Sequence, residues 1–223
     1  MRIRPVVTID GPSGAGKTTV SKRLAEAAGM VRVDTGAMYR AVALAARSFG
    51  VPWDDPVRLG EVARELDLSF RTVSGAPRVF LSGEDVSDAL RTAEISMGSS
   101  AVSVHGPVRE ALVAKQREMA REGGVVLEGR DTGTVVFPDA EAKFFLDAAA
   151  AVRARRRQLE IYPPGAQSFE EILRDVLRRD VQDSTREHSP LRVADGAVYI
   201  DSTTMTVDEV VGEMLRRLPG VPR

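Results

Sequence analysis

The sequence contains no cysteine, and this absence excludes several kinds of chemistry at once. Without cysteine the chain forms no disulfide, holds no metal through thiolates and uses no cysteine nucleophile. Its two histidines, His105 and His188, are too few to build a zinc site alone. No stretch approaches the run of about 18 apolar residues that a membrane-spanning helix needs, and the amino terminus shows no cleavable apolar segment. We therefore expect a soluble, cytoplasmic protein.

The charges of the sequence are nearly balanced, with a formal net charge of −1 at pH 7. This balance gives no reason to expect a nucleic-acid polymer or a membrane as partner. Only four of the 31 basic residues are lysines, and the rest are arginines. Arginine suits a bidentate grip on phosphate, and a composition bias without functional content is the alternative. Asparagine is absent, so the N-K-x-D motif by which regulatory GTPases recognise guanine is missing. We expect a monomer that acts on small molecules.

What the sequence does contain is a complete phosphate-binding loop. Residues 11–18 read GPSGAGKT and fill every fixed position of the pattern G-x-x-x-x-G-K-[ST]. Apolar residues 5–9 predict a buried strand before the loop, and residues 19–28 predict a helix after it. In such a loop Lys17 reaches the β- and γ-phosphates and the Thr18 hydroxyl ligates Mg²⁺. The residues predicted to bind a nucleoside triphosphate are Gly11, Pro12, Ser13, Gly14, Ala15, Gly16, Lys17, Thr18 and Thr19.

Four further apolar segments predict strands that alternate with helices, at residues 30–33, 125–127, 143–147 and 198–201. Five short strands in this pattern predict an α/β fold, a P-loop NTPase-type five-stranded parallel sheet flanked by helices. Residues 66–95 break the alternation and predict a small antiparallel insert. Residues 1–65 and 96–223 then form the core, with a lid near residues 155–190. Turns are predicted at Ser74 to Pro77 and at Pro163, Pro164 and Gly165.

Polar residues follow the predicted strands, at the edge where open α/β sheets bind their ligands. A kinase that phosphorylates an alcohol needs a base, whereas one whose acceptor is already a phosphate needs a cluster of cations. The candidate cations are Arg40, Arg109, Arg130, Arg153, Arg156, Arg157, Arg179 and Arg186. For any one arginine a solvated helix face is the alternative, but Arg130 directly follows a buried strand.

A closing lid would keep water away from the transferred group. Arg179, Asp183 and Arg186 fall at i, i+4 and i+7, so one helical face could present two guanidinium groups with a carboxylate between them. A surface ion pair contributing about 0.3–0.5 kcal/mol is the alternative for this pattern.

Taken together, the motifs resemble the bacterial cytidylate kinases, within the nucleoside monophosphate kinases. The stretches that carry the resemblance run in order along nearly the whole chain: residues 7–25, 33–43, 83–96, 107–112, 128–148, 178–191 and 200–210. The sequence departs from the family pattern at Thr132, Gln182, Ser184 and residues 195–196. The small insert is similar to an element that bacterial members carry in their monophosphate-binding region.

The resemblance implies that the γ-phosphoryl group of ATP is transferred to CMP or dCMP with Mg²⁺. It assigns Thr35, Tyr39 and Arg40 to the monophosphate-binding region, and Ser100, Arg109 and Asp131 to the cytosine edge. It assigns Arg130 and Arg186 to phosphate, and Arg179 with Asp183 to the ribose. The catalytic set is then Lys17, Arg130 and Arg186, and the metal ligand is Thr18.

Cytosine presents an amine donor beside a ring-nitrogen acceptor, and uracil reverses both. A buried Asp131 accepts from the amine and Arg109 donates to the ring nitrogen, so uracil would leave both groups unpaired. A loop-capping aspartate is the alternative for Asp131. For the whole chain the alternatives are a related kinase for UMP, AMP or dephospho-coenzyme A, and a regulatory ATPase that transfers phosphate to no acceptor.

Overall fold

A computed structural model describes residues 2, 4–73, 76–160 and 167–219 of the chain. In chain order its elements are β1 (Val6–Asp10), α1 (Lys17–Ala28), β2 (Val31–Asp34), α2 (Thr35–Ser48), α3 (Pro56–Glu65), β3 (Leu68–Val73), β4 (Ala76–Leu81), β5 (Glu84–Asp85), α4 (Ala93–Val102), α5 (Gly106–Met119), β6 (Val125–Gly129), β7 (Ala142–Asp147), α6 (Ala150–Glu160), α7 (Phe169–Thr185), β8 (Val198–Asp201) and α8 (Val207–Arg217). A 3₁₀ turn covers Ala89–Arg91 and a π-helical turn covers Thr132–Val136. The predicted loop at residues 163–165 lies outside the described residues, as do residues 74 and 75 of the predicted turn.

The chain divides into two compact units, one of Met1–Arg32 with Ala120–Arg223 and one of Val33–Met119. A five-stranded sheet in the order β2-β6-β1-β7-β8 belongs to the first unit, except for the last two residues of β2. Strand β1 pairs in parallel with β6 and with β7, and β7 pairs in parallel with β8. The predicted five-stranded parallel sheet is confirmed. Its parallel central strands all end at one edge, where the phosphate loop begins.

The first unit buries its core between the sheet and two of its helices. Ile9 and Phe144 of the sheet, Leu24 of α1 and Met214 of α8 are almost completely buried in one cluster. Helices α6 and α7 pack on each other through a smaller cluster of Ala154, Ile172 and Val176. Helix α7 begins with a capping box, in which Ser168 and Glu171 satisfy each other's backbone N–H groups.

The second unit holds α2 to α5 and a three-stranded antiparallel sheet in the order β3-β4-β5. This sheet is the predicted small antiparallel element, with Phe70 opposite Val79 in its register. Met38, Leu59 and Leu112 are fully buried in the core of the unit. Among the described residues, no helix is both long and apolar enough to cross a membrane.

Candidate active site

The phosphate loop joins β1 to α1 with backbone angles that its glycines permit. Gly11, Gly14 and Gly16 have φ of 152°, 79° and 91°. A Cβ on Gly11 would lie 1.9 Å from the carbonyl oxygen of Leu146, so no other residue fits there. Gly16 is also the N-cap of α1, and the helix therefore starts with its N–H groups at the loop. The resulting cradle suits an anion.

Lys17 lies buried on the first turn of α1, with 8% of its surface exposed. Its ammonium group donates to the carbonyl oxygens of Gly11, at 2.8 Å, and of Pro12, at 2.7 Å. Burial, together with the positive charge of Arg130, lowers the pKa of the Lys17 ammonium to about 7. Lys17 is thus a cation whose charge costs free energy until an anion approaches it.

Two arginines of α6 donate hydrogen bonds to backbone carbonyl oxygens of the phosphate loop. Arg153 donates to the carbonyl oxygen of Ser13 at 3.1 Å. Arg156 donates to the carbonyl oxygen of Ala15 at 3.2 Å and to the backbone and side chain of Ser202. Both arginines are among the cations predicted for phosphate, and the structure places their guanidinium groups on backbone carbonyl oxygens of the loop.

Thr18 lies beside Glu128, a residue that the sequence interpretation did not single out. The Thr18 hydroxyl donates to the Glu128 carboxylate at 3.2 Å, and the Ser21 hydroxyl donates to it at 2.9 Å. Arg32 pairs with the same carboxylate and donates to the Ser21 hydroxyl at 2.9 Å. Glu128 is buried at the carboxyl end of β6, with 3% of its surface exposed. A carboxylate that ends an apolar strand next to the phosphate loop is the sequence signal that could have found it.

Asp10 fixes the turn that follows β6. Its carboxylate accepts from the Thr132 amide and hydroxyl, at 2.9 and 2.8 Å, and from the Gly133 amide at 2.7 Å. Burial raises the pKa of the Asp10 carboxyl, and the three donors act against that rise. Thr132, one of the departures from the family pattern, therefore ties the turn to β1 through its side chain.

Charged side chains from this turn and from α7 meet in one cluster. Asp183 pairs with Arg130 at 2.8 Å and lies 3.7 Å from Arg186, which in turn lies 3.9 Å from Asp131. Arg186 is the C-cap of α7 and donates to the Ser189 carbonyl at 2.7 Å.

Burial lowers the pKa of the Arg179 guanidinium, and the positive charges of Arg157 and Arg130 lower it further. The structure thus brings five predicted residues together, Arg130, Asp131, Arg179, Asp183 and Arg186.

The other predicted acceptor residues lie in the second unit. Thr35, buried, and Tyr39 lie on α2, and the Arg109 guanidinium sits 5.4 Å from the centre of the Tyr39 ring. Arg109 is buried and donates to the Ser103 carbonyl at 2.9 Å. Arg40 pairs with Asp34, the N-cap of α2, at 3.0 Å. Ser100 is half-buried on α4, and its hydroxyl donates to the Ser96 carbonyl at 3.4 Å.

Comparison with known proteins decides the family. A family model described as cytidylate kinase matches residues 7–219. The chain is 52% identical to the cytidylate kinase of Geobacter sp. strain M21, over 95% of this chain and 91% of that protein. It is also 52% identical to the cytidylate kinase of Geobacter sulfurreducens, over 94% of this chain and 90% of that protein. The chain belongs to the cytidylate kinase family.

The resemblance inferred from the motifs is therefore confirmed, and with it the assignment to the kinases. Among solved structures, an uncharacterized protein from Eubacterium ventriosum is similar, with a TM-score of 0.50 and 11% identity over 98% of this chain and 100% of that one. That likeness concerns the fold alone.

Proposed function

We propose that this enzyme transfers the γ-phosphoryl group of ATP to CMP or dCMP, which yields CDP or dCDP. One observation carries the proposal beyond family membership. Gly129 is paired with Asp10 in the sheet, so Arg130 follows β6 beside the start of the phosphate loop, and its guanidinium pairs with Asp183 of α7 at 2.8 Å. The cation of the phosphate loop and the charged cluster of the turn and α7 thus belong to one electrostatic site. A site of this kind suits the transfer of a phosphoryl group between two anions.

The donor half of the site is the phosphate loop. Its backbone N–H groups and the start of α1 bind the triphosphate, and Lys17 supplies the charge near the β- and γ-phosphates. The Thr18 hydroxyl is a hard oxygen ligand of the kind that Mg²⁺ prefers, and the Glu128 carboxylate, which also pairs with Arg32, lies 3.2 Å from it, so a magnesium site fits Thr18. When bound, Mg²⁺ neutralises charge on the phosphate oxygens.

The acceptor half needs no general base, because a monophosphate oxygen is already an anion at neutral pH. It needs cations that bring two anions together and that spread the charge of the transition state. We assign this task to Arg130 and Arg186, whose guanidinium groups share Asp183. Asp183 also keeps the two cations in place, with Arg179 beside it on the ribose side.

Recognition of cytosine is assigned to Asp131, whose carboxylate accepts from the exocyclic amine. For Thr35, Tyr39, Arg40, Ser100 and Arg109 the proposal rests on the motifs that they share with the family. Uracil in place of cytosine would face Asp131 with a carbonyl oxygen, and a buried mismatch of this kind is strongly rejected.

A coupled assay with ATP and CMP, dCMP, UMP or AMP tests the proposal. We expect CMP and dCMP to be the preferred acceptors, and Asp131→Ala to lower the preference for CMP over UMP at least about 100-fold with little change in the KM for ATP. Asp139→Ala is the matched control, because Asp139 is an exposed aspartate that pairs with Arg2. Equal turnover of all four acceptors would refute the base assignment. ATP hydrolysis that does not depend on any acceptor would instead identify a regulatory ATPase.

We further propose that the enzyme acts as a monomer on free nucleotides in the cytoplasm. The balanced charge of the chain supports this, since it gives no electrostatic attraction to nucleic acids or anionic membranes. Sedimentation velocity at micromolar concentration, with and without nucleotides, tests the oligomeric state.

A further inference from the structure

Arg153 makes a set of contacts that a surface arginine would not make. It lies on the first turn of α6 with 5% of its surface exposed. Its guanidinium pairs with the Asp180 carboxylate through two hydrogen bonds, of 2.9 and 2.6 Å. The same group donates to the carbonyl oxygens of Ala148, at 2.7 Å, and Ser13, at 3.1 Å. A buried guanidinium must have such partners, because an uncompensated buried charge is strongly unfavourable.

The backbone of α6 touches the phosphate loop at the same point. A Cβ on Gly14 would lie 3.0 Å from both the Cβ and the carbonyl oxygen of Arg153, so the loop rests directly on this turn of the helix. Arg153 therefore contacts both Ser13, through a hydrogen bond, and Gly14, through direct packing. The position of Arg153 therefore constrains the position of Ser13 and Gly14 within the loop.

Asp180, the partner of Arg153, lies on α7 one helical turn before Asp183. Asp183 pairs with Arg130 in the proposed acceptor half. Three residues of α-helix span about 4.5 Å and are rigid. A continuous series of contacts thus runs from the phosphate loop through Arg153 and Asp180 to the charged cluster.

We propose that Arg153 and Asp180 are positioning residues that couple the donor half of the site to the acceptor half. This inference rests on the proposed transfer from ATP to CMP. A shift of α7 that brings Asp183 and Arg130 onto an acceptor moves Asp180, and through Arg153 it moves the loop. Occupation of one half then favours the arrangement of the other, which is a coupling free energy between the two binding events.

The test measures this coupling in Asp180→Asn. Calorimetry gives the Kd of CMP with and without a non-hydrolysable ATP analogue, and the Kd of the analogue alone. We expect the variant to weaken the analogue about fivefold and to reduce the enhancement of CMP affinity by the analogue at least about fivefold. Asp175→Asn is the matched control on the same helix, since Asp175 pairs at 3.0 Å with the exposed Arg178. This control should change the Kd of the analogue, and the enhancement of CMP affinity by the analogue, less than about twofold.

Two further variants separate positioning from mere folding. Asp180→Glu keeps the charge and should restore part of the coupling. Arg153→Met with Asp180→Leu replaces the pair by apolar groups of similar size, which often preserves stability. This double variant should fold, as judged by circular dichroism, and still lack the coupling.

The inference would be overturned if a folded Asp180→Asn variant, or the folded double variant, showed the same coupling as the wild-type enzyme. So would an equal loss of coupling in Asp175→Asn. A wild-type enzyme that forms no CDP would refute the proposed function instead, and the affinity for the ATP analogue would then still test the contact between Arg153 and the loop.

Discussion

Lys17 is a cation that the fold has surrounded with carbonyl oxygens and removed from water. Burial, with the nearby charge of Arg130, brings its pKa to about 7 from the model-compound value of 10.5. Between these two values the unfolded chain binds more protons at Lys17 than the folded chain does. This residue therefore makes the fold more stable as the pH rises from about 7 to 10.5. The free energy lost by burying the charge is recovered when a triphosphate pairs with it.

The binding of ATP should therefore take up a proton at pH 8, because the phosphate charges raise the pKa of Lys17 above its value of about 7. At pH 6 the residue is already charged and its uptake should vanish. Calorimetry in two buffers with different ionisation enthalpies counts the protons. Lys17→Met is the control and should show no uptake at pH 8. The same uptake in that variant would assign the proton to another group.

At the scale of helices and strands, Glu128 is the residue that ties neighbouring elements together. Its carboxylate ends β6 and binds Thr18 and Ser21 of α1 together with Arg32 of β2. Three elements that adjoin the phosphate loop thus meet at one buried carboxylate. Their mutual positions depend on its charge, because Arg32 is itself nearly buried.

Glu128→Gln should lower the free energy of unfolding by about 3 kcal/mol, because it removes the charge that compensates Arg32. Adding Arg32→Leu removes the second charge as well and should recover at least half of the loss. Urea unfolding of the two single variants and the double variant completes the cycle. If the two single effects simply add in the double variant, the ion pair is not the cause.

Elements were predictable from the sequence where a pattern is local. The strand predicted at residues 198–201 is β8, and the phosphate-loop strand and helix are displaced by only one or two residues. The π-helical turn at Thr132–Val136 was not predictable, because it depends on hydrogen bonds to Asp10, more than 120 residues away. The pairs Arg32–Glu128 and Arg153–Asp180 join residues 96 and 27 positions apart, so no short-range pattern in the sequence predicts either pair. The phosphate-binding residues of the loop could be predicted from a local motif, whereas the side-chain pairs that hold the loop in place could not, because their partners are distant in the sequence.

For the whole molecule, each of the two units has a hydrophobic core of its own. The single tryptophan, Trp53, belongs to the second unit. Its indole N–H donates to the Ala43 carbonyl at 3.1 Å, and its ring covers Gly98 of α4, where a Cβ would lie 2.5 Å away. Trp53 fluorescence therefore reports the packing of this unit.

Gly98→Ala should destabilise the second unit by about 1–3 kcal/mol, because the added methyl group overlaps the indole ring. Ser96→Ala on the same helix is the matched control and should change stability by less than about 0.5 kcal/mol. Urea unfolding followed by Trp53 fluorescence gives the midpoint of the second unit, and far-UV circular dichroism follows both units. In the variant we expect the fluorescence midpoint to fall below the main circular dichroism transition. Equal shifts by both probes would mean that the two units unfold together.

Four carbonyl oxygens of the phosphate loop accept hydrogen bonds from side-chain cations. Those of Gly11 and Pro12 accept from Lys17, that of Ser13 from Arg153, and that of Ala15 from Arg156. At these positions the loop needs no solvent to hold its shape, since each acceptor is already satisfied. Water can therefore be excluded from a bound triphosphate without loss of the hydrogen bonds that these four carbonyl oxygens accept.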